Sequence, residues 1–178
     1  MHETPGQTPD LAAVPVFGRL DADERAELQD LMEPARFDVG QAIFREGGPE
    51  EKLYVITSGT VEVHKRILRK RRQHLATVDA PTVVGEMGLL TEPRAAATVE
   101  ALTLVDAYGI DRDRLLEMLD EDSPAACKLV YEIGRTLAER MARTDKTVAD
   151  VIAKLEDAQT RGGDVDVFRD QLVRDWSF

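Results

Sequence analysis

The fold of this chain is decided by residues 83–99, which read VVGEMGLLTEPRAAATV. An apolar run that ends at Gly85 is typical of a buried strand, and residues 86–90 fit one short turn of helix. Pro93 prevents the helix from continuing. Arg94 and the small residues after it then begin a second strand. The stretch therefore predicts a strand, a short helix and a strand, joined by tight turns.

The same stretch carries residue types that bind an anionic ligand. Glu86 lies at the start of the short helix, where free N–H groups favour a carboxylate and also bind anions. Arg94 supplies a planar, permanently charged fork suited to a phosphate. The alanines beside it leave room for a ligand close to the backbone. We therefore predict a small site with an acceptor for hydroxyl groups and donors for an anion.

Further β-type runs lie on both sides of this stretch, separated by glycines that tolerate tight corners. They predict strands over 35–38, 41–45, 53–56, 61–64, 73–78, 82–84 and 98–107. The predicted fold class is mainly β with flanking helices: an antiparallel, double-stranded jelly-roll-like β-roll followed by a long C-terminal helix.

Helical patterns begin and end this β region. Asp21 with Glu24 three residues later predicts a capped helix over 21–33, ended by Pro34. Asp111 predicts the cap of a short helix before the long one.

The long helix is expected to begin at Ser123-Pro124, an N-cap followed by proline at the first helical position. Its apolar residues recur at steps of three and four: Val130, Ile133, Leu137, Met141, Thr144, Val148, Val151 and Leu155. This near-heptad spacing predicts a homodimer contact through residues 129–155. The alternative is that the stripe packs on its own domain.

Four segments follow from these patterns. They are a flexible arm over 1–13, the β-roll with its N-terminal helix over 14–122, a lid and dimerisation helix over 123–160, and a short amphipathic tail over 161–178. The tail would dock on its own domain, on a dimer mate or on another protein.

Residues 83–99 resemble the phosphate-binding cassette of the cyclic-nucleotide-binding domains, the family of catabolite activator protein and the protein kinase A regulatory subunits. The shared pattern is Gly-Glu, a short helical turn, then Pro-Arg and small residues. Gly40, Gly47 and Gly59 also stand where the family turns its roll. The resemblance covers about residues 14–157.

The resemblance implies roles for individual residues. Glu86 would accept a hydrogen bond from the ribose 2′-hydroxyl, and Arg94 would pair with the cyclic phosphate. Ala96 stands where a hydroxyl-bearing residue often contacts phosphate or guanine, so alanine there favours cyclic AMP over cyclic GMP. Backbone contacts are implied for the residues around the cassette helix: Gly85, Met87, Gly88 and Ala95.

The cassette departs from the family pattern in one respect. Compared with the usual bacterial pattern, one residue is missing between Leu90 and Pro93, and one extra alanine follows Arg94. A one-residue shift turns side chains to the other face of a strand, and a bulge restores them. Two hypotheses stay open: a cyclic-nucleotide-binding regulatory module that signals through its C-terminal helix to a protein partner, and a scaffold that has lost its ligand.

Composition and charge limit which functions and cellular locations we expect for the protein. The net charge of −11 and sequence pI near 4.8 oppose binding to nucleic acid or anionic membranes. Cys127 is the one cysteine and is expected to be a small buried residue. We expect a cytoplasmic protein, because we find no signal peptide and no apolar run of about 20 residues. About 20 residues follow the long helix, so no DNA-reading domain is expected.

A basic run, KRILRKRR, occupies residues 65–72 and is expected at the tip of a hairpin. It would contact nucleic acid, anionic lipid or an acidic partner, or it is a solvated tip that screens acidic helices. His64 and His74 are expected to face each other there, which is too few ligands for a metal site. No catalytic motif is found, so we expect neither an enzyme nor a cofactor.

Overall fold

The structure is a computed structural model, which describes residues 9–67 and 71–160. These residues belong to two compact units that divide between Ile133 and Gly134. Residues 1–8, residues 68–70 of the basic run and the predicted tail at 161–178 lie outside the described residues.

Two four-stranded antiparallel sheets form the β region of the first unit. The strands are β1 Glu33–Phe37, β2 Ala42–Phe44, β3 Lys52–Ser58, β4 Thr60–Ile67, β5 Arg71–Asp79, β6 Thr82–Val84, β7 Thr98–Ala101 and β8 Val105–Asp111. One sheet has the order β1-β8-β3-β6 and the other β2-β7-β4-β5. The predicted antiparallel β-roll is confirmed.

Helices lie before, within and after the strands. They are two 3₁₀ turns, Leu11–Ala13 and Pro15–Phe17, and the helices α1 Ala22–Gln29, α2 Glu86–Leu90, α3 Arg112–Asp120 and α4 Pro124–Thr160. Leu11 is buried in the first of these turns, so the end of the segment predicted as a flexible arm is packed.

One apolar core receives side chains from both sheets. Along β8, Val105 and Ala107 are buried while Asp106 and Tyr108 are half-buried, which is the two-residue period of a strand with one face on a core. The Tyr54 ring lies between two phenylalanine rings, with centroid distances of 5.3 Å to Phe37 and 5.6 Å to Phe44. Buried members of this core are Phe37, Phe44, Ile56, Val61, Val84, Ala95, Val99, Ala101, Val105 and Ala107.

Helix α1 begins as predicted and ends earlier. The capping box is present, because Asp21 Oδ1 accepts from the N–H of Glu24 at 3.0 Å and Glu24 Oε2 accepts from the N–H of Asp21 at 2.9 Å. The prediction that the helix runs to residue 33 is wrong, since α1 ends at Gln29 and Glu33 already lies with Pro34 in β1. β1 is an edge strand of its sheet, where the missing N–H of proline costs no ladder hydrogen bond.

The run 98–107, predicted as one strand, forms two. β7 and β8 belong to different sheets, and residues 102–104 connect them. The Leu102 N–H donates to the Thr60 carbonyl at 2.9 Å, and Thr103 Oγ1 accepts from the Thr60 N–H at 2.9 Å. These bonds to the start of β4 hold the chain where it leaves one sheet for the other.

The basic run lies in a hairpin, as predicted, because β4 and β5 pair antiparallel with His64 opposite His74. Lys65 and Arg66 are exposed. Arg72 Nη2 donates to Glu62 at 3.1 Å and to Glu100 at 3.4 Å. Part of the positive charge of this run is therefore paired with acids of the same sheet.

The long helix α4 begins at Pro124, with Ser123 before it, as predicted. Its first turns are attached to α1, because Ser123 Oγ donates to Glu27 at 2.8 Å and Lys128 Nζ donates to Glu24 at 2.5 Å. The prediction that Cys127 is buried is wrong. The buried face of these turns is formed by Ala125, Ala126, Leu129 and Ile133, and helical periodicity places residue 127 off that face.

None of the helices in the described residues combines the length and apolar character that crossing a bilayer requires.

Candidate ligand-binding site

A pocket of about 340 Å³ lies beside the segment that the sequence singled out. Its lining residues are Gly47, Gly48, Pro49, Glu92, Pro93 and Arg94. The two chain segments that form it are paired, with the N–H of Gly47 donating to the Ala95 carbonyl at 2.8 Å. The N–H of Glu50 donates to the Pro93 carbonyl at 3.0 Å. The pocket is therefore built on a short antiparallel contact between residues 47–50 and 93–95.

Gly85 lets β6 end and α2 begin immediately beside this contact. It is the N-cap of α2 and has a φ of +96°, a left-handed conformation that side chains disfavour. A Cβ at this position would lie 2.3 Å from the Lys52 carbonyl oxygen and 3.0 Å from the Phe44 ring. Glycine is required here for both reasons.

Arg94 brings a cation to the pocket wall. The residue is exposed, and Nη1 of its guanidinium donates to the Gly47 carbonyl oxygen at 3.4 Å. A guanidinium carries five N–H groups in a planar fork, and this contact involves one nitrogen. The geometry therefore presents a cation at the edge of an open pocket, where an anion has access.

Glu86 is half-buried as the first residue of α2. It does not belong to the lining of the 340 Å³ pocket formed by the described residues. Met87 is exposed and Gly88 is buried in the same helix. Of the predicted site residues, the structure thus places Arg94 in the pocket lining, whereas Glu86, Met87 and Gly88 lie in α2 outside that lining. Ala95 is buried and Ala96 is exposed.

Two of the backbone N–H groups for which the resemblance implies a ligand contact are already engaged. The N–H of Ala95 donates to the Gly48 carbonyl at 3.0 Å, within the pairing that forms the pocket. The N–H of Gly88 donates to Oε1 of Glu50 at 2.9 Å. An incoming anion that uses either donor has to replace an existing hydrogen bond.

Glu50 is a buried carboxylate that sequence reasoning missed. It is 5% exposed, and burial raises the pKa of its carboxyl above the ordinary value. The hydrogen bond from Gly88 opposes that rise in the pKa, whereas the charge of Glu86 adds to it. Nothing local distinguishes Glu50 from its exposed neighbour Glu51, because only the approach of α2 buries one of them.

Arg112 is the second residue that sequence reasoning missed. From the first position of α3 it donates through Nε to the Gly88 carbonyl oxygen at 2.8 Å, and through Nη2 to that of Thr91 at 3.5 Å. Carbonyl groups at the end of a helix attract cations. Arg112 therefore ties the end of α2 to the start of α3.

Within residues 9–67 and 71–160, no three His, Cys, Asp or Glu side chains converge in a way that would hold a metal ion.

Two antiparallel sheets around one core, with a glycine-initiated helical turn beside a pocket, define a β-roll with a candidate anion site. Residues 34–122, half of the chain, match the family model of the cyclic nucleotide-binding domain. The chain belongs to this family, as its cassette predicted.

Relatives of the chain are regulatory proteins. A CRP-like cAMP-activated global transcriptional regulator of Mycobacterium tuberculosis is 30% identical over 143 residues, which cover 80% of this chain and 62% of that protein. A cAMP-dependent protein kinase regulatory subunit of Dictyostelium discoideum is 32% identical over 107 residues, which cover 58% of this chain and 33% of that protein. The chain thus spans less than two thirds of the length of either relative.

The same fold is present in the catabolite activator protein of Thermus thermophilus. The two structures superpose with a TM-score of 0.70 at 22% identity, over 83% of this chain and 66% of that one. At this identity the likeness concerns the fold alone.

Proposed function

We propose that this chain is a cyclic-nucleotide-binding regulatory module, with cyclic AMP as its ligand, which signals through α4 to a protein partner. The observation that carries the proposal is Arg94 on the wall of a pocket of about 340 Å³, inside the family segment. Both curated relatives named above carry cAMP in their names. Because those relatives are regulators, we infer a cytoplasmic, non-catalytic role.

In this proposal the cyclic phosphate binds to the guanidinium of Arg94, and the ribose 2′-hydroxyl donates to Glu86. A planar cation and a phosphate form short, charge-assisted hydrogen bonds. Ala96 offers no hydroxyl group, so the preference is for adenine over guanine. Backbone contacts come from Gly85, Met87, Gly88 and Ala95.

The output passes through α4, which begins within the first unit and continues into the second. A ligand shifts a conformational equilibrium only when its contacts differ between the two states. The hydrogen bonds of Arg112 to α2 support a route from the cassette to the helices that follow β8. Pairing of two copies through residues 129–155 would make α4 both lid and dimer contact.

Calorimetric titration with cyclic AMP and cyclic GMP tests the proposal. We expect micromolar binding of cyclic AMP and weaker binding of cyclic GMP. Arg94→Ala should weaken binding about ten- to hundredfold, because a charge-assisted hydrogen bond is lost. The control is Arg114→Ala, an exposed arginine of α3 whose guanidinium pairs with Glu117, and its affinity should be unchanged. No heat at millimolar nucleotide would end the proposal.

A second candidate is a scaffold of the same fold that no longer binds nucleotide. It is favoured by the engagement of the Gly88 and Ala95 N–H groups with Glu50 and Gly48. The same titration separates the two candidates, because a scaffold stays folded and self-associated but gives no heat with either nucleotide.

A further inference from the structure

A buried acid lies directly against the candidate cassette. Glu50, at 5% exposure, directs Oε1 to the N–H of Gly88 in α2 at 2.9 Å. An ionised carboxylate in a buried position is costly unless hydrogen bonds or cations compensate it. The buried position of the Glu50 carboxylate therefore costs free energy that an exposed glutamate would not.

Gly88 and Glu50 fit each other closely. A Cβ on residue 88 would lie 2.6 Å from the backbone oxygen of Glu50 and 2.8 Å from both its Cβ and its Cγ. The absence of a side chain at Gly88 is what lets the stem of Glu50 lie against α2. The carboxylate is consequently held at the N–H of Gly88, one of the residues for which the family resemblance implies a backbone contact to the ligand.

The charged groups around this contact come from two elements. Glu86, two residues before Gly88 in α2, adds negative charge that raises the pKa of Glu50 further. Arg112, from α3, donates to the carbonyl oxygen of Gly88. An anion that approaches the Gly88 N–H therefore meets the carboxylate of Glu50 and the nearby negative charge of Glu86, whereas the cation of Arg112 is bonded to the Gly88 carbonyl group.

We propose that Glu50 sets the affinity of this cassette for its ligand, because its carboxylate occupies the Gly88 N–H in place of a phosphate oxygen and repels a second anion. Nucleotide binds when Glu50 is protonated or has left Gly88. This inference rests on the proposed function and makes Glu50 an internal competitor of the ligand.

The pH dependence follows from the direction of the Glu50 pKa. Burial, with the charge of Glu86, holds this pKa above its ordinary value, so the neutral fraction grows as the pH falls from neutral toward that pKa. A cyclic phosphodiester stays ionised over the same range. The affinity for nucleotide should therefore rise on mild acidification.

Calorimetric titration of cyclic AMP into the full chain, at several pH values from neutral to mildly acidic, tests this inference. Glu50→Gln keeps an acceptor for the Gly88 N–H and removes the charge, and we expect roughly tenfold tighter binding at neutral pH, because a like charge no longer opposes the phosphate. The wild-type affinity should approach that of E50Q as the pH falls. Glu51→Gln removes the same charge from an exposed neighbour and should follow the wild type.

The outcomes distinguish this inference from the proposed function. If the wild type binds and E50Q binds equally or more weakly, Glu50 only supports the cassette and the inference is overturned, while the proposed function stands. If none of the three proteins binds at any pH, the proposed function fails. The pH series on the wild type alone decides the question should E50Q prove poorly folded in thermal unfolding.

Discussion

Gly85 lies at φ +96° between β6 and α2, with the Lys52 carbonyl oxygen on the side where a Cβ would project. A glycine in a β-rich sequence predicts a turn. The sequence alone does not show whether glycine is needed there because a Cβ would collide with a neighbour or because the backbone is left-handed. At Gly40 the φ is +81°, and nothing lies within 4 Å of the position that a Cβ would take. The two residues therefore separate backbone strain from steric exclusion.

Gly85→Ala should lower the free energy of unfolding by about 3 kcal/mol, through left-handed strain together with the collision at Lys52. Gly40→Ala, the matched control, should lose about 1 kcal/mol from strain alone. Urea unfolding of both variants measures the difference. Equal losses would show that the Lys52 carbonyl moves aside without cost.

At the scale of elements, α1 and the start of α4 are joined by polar contacts. Glu24 accepts from the Asp21 N–H inside the capping box and from Lys128 Nζ of α4. The hydrogen bond from Lys128 is the larger cause of a lowered pKa at Glu24, and the backbone bond from Asp21 is the next. An acid with a lowered folded-state pKa stabilises the fold above its ordinary pKa, and this contribution is lost as the pH falls through the folded-state value.

Glu24→Gln should lower the melting temperature at neutral pH, and the difference from the wild type should shrink as the pH falls below the ordinary pKa of glutamate. Glutamine also serves in a capping box, so the variant removes the charge while it keeps the cap. Thermal unfolding across this pH range provides the measurement. Lys128→Met should reproduce the loss, and the double variant should lose less than the sum. A difference that stays constant with pH would contradict this assignment.

At the scale of the whole molecule, α4 is the helix that begins in the first unit and continues into the second. It is 37 residues long, and Met141 on its predicted stripe is 67% exposed. Leu137, one step earlier, is half-buried. A 37-residue helix with apolar residues at near-heptad spacing is the arrangement that pairs with a second helix.

Met141→Lys should shift the chain from dimer to monomer, because it places a charge on the proposed seam. Ala138→Lys adds the same charge at an exposed position outside the stripe and should leave the dimer intact. Light scattering during size-exclusion chromatography reports the mass of each. A wild-type chain that is monomeric at high concentration would rule out the seam.

Much of the fold could be predicted from local sequence patterns. Strand positions followed from short β-type runs separated by glycines, and Asp21, Asp111 and Ser123 marked helix starts because capping depends on neighbours within three residues. The errors fell where distant contacts decide: α1 ended early because Glu33 joins an edge strand, the run 98–107 divided between two sheets, and Cys127 came to lie off a buried face.

For the candidate site, the sequence by itself determined the family, the glycine at the start of α2 and the arginine that borders the pocket, because these depend on short-range backbone chemistry and a motif of adjacent residues. Only the tertiary structure decided that residues 47–49 form the opposite wall, that Glu50 is buried at Gly88 and that Arg112 holds the end of α2. Burial and charge pairing between residues tens of positions apart depend on how the elements pack. They therefore cannot be inferred from the residues adjacent in sequence.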